Sequence, residues 1–145
     1  MATRHRLSLI IFSGDFDRVH YALAMASAAA ATDRPVTMFF SGRALRFFLA
    51  EAADGTPGWA ALAPAENGKT AIERDTELCS DGIGTIEELA MACVELNVAF
   101  FRCDMGVKAS KLDAITFRSD LPTRSGGLVS FLAEAEKEDS QVVFI

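Results

Sequence analysis

The sequence predicts an α/β protein, a three-layer α/β/α arrangement around a mostly parallel five-stranded sheet. Three observations predict it. Short apolar runs recur without the alternation of a half-exposed strand, as strands covered on both faces require. Segments of helical character separate these runs, so that each strand leads into a crossover and not a tight hairpin. The chain has 145 residues, 50% of them hydrophobic and 23% charged, enough for one well-filled core, and a single domain over residues 1–145 is expected.

The first two strands are "LSLIIF", residues 7–12, and "PVTMFF", residues 35–40. Between them, residues 15–33 read as a helix. Asp15 and Asp17 suit its cap and first turn, where free amides and the positive end of the dipole favour acids, and the remainder is largely Ala and other helix formers. A second helix is expected over "SGRALRFFLAEAA", residues 41–53. Residues 51–80, rich in Gly, Pro, Ala and charge and without a steady period, read as an irregular loop that serves as a mobile lid, with Trp59 as its main contact. Residues 84–97 place Ile86, Leu89, Ala90, Cys93 and Leu96 on one face at helical spacing, with Thr85 at the start. The strand "VAFF", residues 98–101, follows directly. Then come a short helix over 106–113, a short strand "AITF" over 114–117, a last helix over 121–139 and a last strand "QVVFI" over 141–145.

A formal charge of −6 and the absence of any Lys/Arg cluster remove the attraction on which nucleic-acid binding depends, and disfavour an anionic membrane surface. The apolar run at the start gives way to "SGDFDR" too early for a signal peptide, and the longest uncharged stretch, "YALAMASAAAAT", is too short to span a bilayer. A cytoplasmic protein is expected. Cys79, Cys93 and Cys103 form no CxxC pair, so neither a disulfide framework nor a metal site is indicated. The loop "FSGDFDR" lacks both glycine-rich phosphate motifs and sets two acids at the helix start, which argues against a nucleotide.

In open parallel sheets, ligands bind beyond the carboxyl ends of the strands. Residues 13–17, 41–43, 102–105 and 118–120 fall there, which puts Cys103 on the functional edge. A thiolate at Cys103 gains from the amides opening the next helix and from a nearby arginine, with Arg43 and Arg102 at the same edge. Asp104 opposes it by like charge, and Met105 follows. The structural alternative is a strand-end cysteine packed beneath a helix. Cys93 belongs to the apolar face of its helix and reads as core, while Cys79, at the end of the irregular segment, is a candidate second thiol. His20 either approaches the same edge or packs, and Gly126 and Gly127 either offer bare amides to a small anion or form a turn. A homo-oligomer is expected because residues 21–31 are apolar on every helical face and because Phe47 and Phe48, side by side, cannot both point in one core direction.

Four stretches, in this order, carry a likeness to a known family: "GDFDRVHYALAMASAAAA" after the first strand, "PVTMFFSGRAL", "TIEELAMACVELNVAFFRCDMGV" and the ending "GGLVSFLAEAEKEDSQVVFI". The chain resembles the DsrE/DsrF-like sulfur-relay family, especially its stand-alone members sometimes labelled peroxiredoxin-like. The Cys-x-Met after "VAFF" is the most telling feature, and Gly106 stands where the family carries a polar residue after the Met. The resemblance implies a cytoplasmic, oligomeric α/β protein that carries sulfur as a persulfide on a cysteine, which by position is Cys103. It implies protein sulfur donors and acceptors as partners, and no metal or organic cofactor. Two readings therefore stand, a sulfur carrier or sulfurtransferase acting through Cys103, and a non-enzymatic α/β subunit for small-ligand binding or assembly.

Overall fold

A computed structural model describes residues 5–137 and 139–145. Five strands, β1 (Arg6–Ile11), β2 (Val36–Phe40), β3 (Ala99–Cys103), β4 (Thr123–Gly126) and β5 (Ser140–Phe144), form one sheet in the order β4-β3-β2-β1-β5, and every neighbouring pair is parallel. The helices are α1 (Phe16–Ala31), α2 (Ala71–Ser80), α3 (Ile86–Glu95), α4 (Asp104–Ala109) and α5 (Leu128–Lys137), with 3₁₀ turns at Gly42–Phe48 and Gly58–Ala61. The α/β class and the parallel five-stranded sheet are thus as expected.

The strand order explains how the helices divide. From β1 to β4 the chain steps across the sheet in one direction, so right-handed crossovers deliver α1 and α3 to the same face. The connection from β4 to β5 steps back across the whole sheet, and α5 lies on the other face. On the first face Leu7, Leu9, Ile11, Val36, Met38, Phe40 and Phe100 meet Phe16, Val19, Leu23, Ile86 and Ala90, all buried. On the second face Phe131 of α5 stacks on Phe39, with ring centroids 4.6 Å apart.

Three expectations are corrected. The helix over 41–53 is a 3₁₀ turn that stops at Phe48. Phe47 and Phe48 are both fully buried, Phe47 stacked on Phe40 at 5.5 Å and Phe48 meeting it edge-on at 4.7 Å, so packing has overridden the helix propensity of "LAEAA". These rings therefore offer no exposed patch to a second subunit, and α1 likewise buries Phe16, Val19, Leu23 and Ala26 within the chain.

The segment 51–80 is not irregular throughout: it contains the Gly58–Ala61 3₁₀ turn and ends in α2. Trp59 is 5% exposed and packs on Phe16, with centroids 5.9 Å apart. At Gly58 a Cβ would stand 1.9 Å from the Leu49 carbonyl oxygen, so this turn sits directly against the exit of the first 3₁₀ turn. Helix α2 then starts with a capping box: the Thr70 hydroxyl accepts from the Glu73 amide at 3.2 Å and the Glu73 carboxylate accepts from the Thr70 amide at 3.1 Å. Arg74 ties it to α1 through Asp17 at 2.9 Å.

The fourth strand is Thr123–Gly126, not 114–117, and α5 begins only at Leu128. Phe117 forms an isolated antiparallel bridge to Leu49 instead. The edge strand β4, "TRSG", is paired on one side only and has few side chains to bury, so it carries no apolar run. Among the described residues no helix is long and apolar enough to cross a membrane.

Candidate functional site

Cys103 is the last residue of β3 and the N-cap of α4. Its Sγ accepts a hydrogen bond from the Gly106 amide at 3.4 Å. Alternation along the strand puts Cys103 on the second face with Phe101, and the register places Phe101 beside Phe39. Cys103 is 1% exposed and clusters with Phe39 and Phe131. The accessible thiol expected at the strand end is therefore a covered one, in one apolar cluster with Phe39 and Phe131.

Two glycines shape this position. A Cβ at Gly106 would stand 2.4 Å from Ser41 Oγ and 3.2 Å from Leu45 Cδ1, so its absence lets α4 start close against the exit of β2. Gly126 is the register partner of Cys103 on β4, and a Cβ there would press on Phe101 Cδ1 at 3.3 Å. The Gly127 carbonyl accepts from the Phe131 amide at 3.0 Å and opens α5. The structure thus brings Gly126, the last residue of β4, and Gly127, which leads into α5, to the Cys103 region.

The other predicted residues lie elsewhere. Arg102, one residue before Cys103, takes the opposite face and stands over the Phe117 ring at 4.3 Å from its centroid. Arg43 is exposed on the first 3₁₀ turn, with its Cβ against Gly14. Among the described residues neither arginine bonds to the thiol. Asp104 and Met105 are exposed on the first turn of α4. His20 is buried between α1 and α3; its Nε2 lies 2.8 Å from the Gly84 carbonyl, which only accepts, so that nitrogen carries the proton and the ring is a structural tie. Cys79 is exposed on α2, which packs through the Gly58–Ala61 turn on the first face, away from Cys103. Cys93 is core, as expected: its thiol donates to the Leu23 carbonyl at 3.5 Å, and burial pushes it up to about 12.

Two features were missed. Arg118, expected beyond a strand end, is a half-buried pin whose guanidinium donates to both Glu87 oxygens at 2.9 and 2.8 Å and to both Asp120 oxygens at 2.7 and 2.6 Å. Burial opposes its charge, but the bonds to Asp120 and Glu87 outweigh this and raise it above its ordinary value. The second is a cavity of about 420 Å³ between α5 and the second sheet face, lined by Arg6, Ser8, Thr37, Ala99, Phe101 and Arg124 among others, with Phe39, Phe131 and Gly126 shared with the surroundings of Cys103. Alternation along "LSLIIF" and "PVTMFF" already sets Ser8 and Thr37 apart from the leucines and valine, which was the available signal. Among the described residues no three His, Cys, Asp or Glu side chains converge as a metal-binding group.

No family model matches the chain, and no curated protein does. Solved structures similar to it include the following two. The ychN protein from E. coli aligns over 99% of this chain and 100% of its own, at 11% identity and a TM-score of 0.56. A protein of unknown function from Methanobacterium thermoautotrophicum, MTH1491, aligns over 97% of this chain and 99% of its own, at 12% identity and a TM-score of 0.57. At such identities the likeness is one of fold alone.

Proposed function

We propose that the protein is a sulfur carrier or sulfurtransferase that passes persulfide sulfur through Cys103. The observation that supports this most is the place of Cys103 at the carboxyl end of β3, with Sγ accepting from the Gly106 amide. An amide that bonds a thiol sulfur bonds a thiolate more strongly. In the reaction the Cys103 thiolate attacks the outer sulfur of a donor persulfide; that S–S bond breaks, a new one forms on Cys103, and the donor leaves as a thiolate. An acceptor thiolate then attacks the outer sulfur and releases the Cys103 thiolate, with no net oxidation. Donor and acceptor are proteins in this reading, and the exchange requires the Phe39–Phe131 cover to part.

The test is intact mass after incubation with a persulfide donor. The parent should gain one sulfur that a reductant removes, and Cys103→Ser should not. A variant that loads as well as the parent would show that Cys103 is not the carrier.

The burial of Cys103 favours a second reading, an α/β subunit that binds small ligands or assembles without sulfur chemistry. Under either reading we propose a homo-oligomer, formed through a surface other than the one expected. Phe12 and Phe144, 53% and 68% exposed, stack on each other at 6.0 Å, and Val142 is exposed beside them on β5. An exposed apolar patch of this kind commonly marks a contact.

A further inference from the structure

The two edges of the sheet are finished differently. β4 is four residues long, follows Pro122 and carries the exposed Arg124, the short, charged and proline-flanked form by which an edge strand avoids pairing with another chain. β5, at the opposite edge, pairs with β1 alone among the described residues. Its sequence, "SQVVF", contains no charge, no proline and no glycine. None of these protections against a further strand is present.

The ladder fixes which backbone groups of β5 remain open. The Ile145 amide donates to the Ile10 carbonyl at 2.8 Å and the Ile145 carbonyl accepts from the Phe12 amide at 2.7 Å, so Ile145 turns both groups towards β1. Alternation gives Val143 and Gln141 the same direction, and turns the amides and carbonyls of Ser140, Val142 and Phe144 to the free edge. The side chains of these three residues share the second face, beside Arg6, Ser8 and Ile10 in the register. Val142 is 47% exposed there, so α5 leaves this margin of the second face uncovered. Open backbone groups and exposed apolar side chains thus occur on one strand.

We propose that β5 pairs antiparallel with β5 of a second copy, joining the two sheets into one about a two-fold axis at Val142. The proposal rests on the homo-oligomer reading and specifies its contact. The open groups are symmetric about Val142, with Ser140 and Phe144 two residues to either side, so the strand is complementary to itself. Val142 exchanges amide and carbonyl bonds with the partner's Val142, and Phe144 does so with the partner's Ser140. Paired side chains point to one face, so the valines meet at the centre and the two Phe12–Phe144 stacks flank them. Copies of net charge −6 repel each other, and a strand without charge is where they approach at least cost.

Residue-resolved amide exchange and cross-linking of the full chain test this. In the oligomer the Val142 amide should exchange at least about tenfold more slowly than in Phe144→Asp. The Val143 amide, which bonds to β1, should be slow in both, and this shows that the variant keeps β5 in place. In the chain with Cys79→Ser, where the remaining thiols are buried, Val142→Cys should cross-link copy to copy on mild oxidation, because its Cα atoms lie about 5.5 Å apart across the axis, within reach of a disulfide. Ser140→Cys should not, since four residues, about 14 Å, separate it from its equivalent. A monomer at micromolar concentration overturns the pairing and the homo-oligomer reading together. An oligomer whose Val142 amide exchanges as fast as in Phe144→Asp, or in which Val142→Cys cross-links no better than Ser140→Cys, keeps the homo-oligomer reading and overturns the strand pairing.

Discussion

Cys93 and Cys103 are both buried, yet only one has a structural reason to stay inert. Cys93 donates to a carbonyl inside the α1–α3 layer, and burial pushes it up to about 12. The sign of the resulting pH dependence follows. Below about pH 8.5 both folded and unfolded chains keep this proton; above it the unfolded chain loses the proton while the folded chain retains it, so stability falls as pH rises, by on the order of 1 kcal/mol per unit until the folded thiol also ionises. Denaturation between pH 8 and pH 11 should show this slope, and Cys93→Ala should flatten it relative to the parent, whatever the variant loses at neutral pH through its cavity. Arg118 makes a second prediction at this scale. Arg118→Leu leaves Glu87 and Asp120 facing each other without their shared cation and should cost about 2 kcal/mol, read as a lower denaturation midpoint. An unchanged midpoint would mean that the pin contributes nothing.

Helices and strands were legible in the sequence to the extent that they bury apolar side chains. Strands β1, β2, β3 and β5 announce themselves as apolar runs, and the stripe through Ile86, Ala90 and Cys93 gives α3. Helix α2 buries only Ala71 and Leu78, so no period marks it; its one signal is the capping box "TAIE", Thr70 to Glu73, which the composition of the surrounding segment obscured. Strand β4 carries no such mark at all. Thr70→Ala should therefore destabilise α2 by about 1 kcal/mol, a selective gain in amide exchange over 71–80. Exchange in the parent as fast there as in a free peptide would restore the irregular loop. The candidate site divides in the same way. The strand-end rule located Cys103, but its cover depends on the β4-to-β5 crossover, which no local pattern near Cys103 reveals.

At the scale of the molecule, one topological fact accounts for most of what is distinctive. Four strands in chain order step one way and the last connection steps back, so one face is covered by several elements and the other by α5. From this follow the covered Cys103, the cavity beneath α5 and the exposed rings of Phe12 and Phe144. Sedimentation at micromolar concentration should give a homo-oligomer, and Phe144→Asp should shift it to the monomer; a parent of monomer mass at all concentrations would contradict assembly through this patch. The central claim, that sulfur is carried on Cys103, is tested most directly in the chain with Cys79→Ser and Cys93→Ala, where Cys103 is the sole thiol. After incubation with a persulfide donor, intact mass should show a gain of one sulfur that a reductant reverses. No gain in this folded protein, under conditions where the parent loads, would contradict the claim and assign the sulfur to another cysteine.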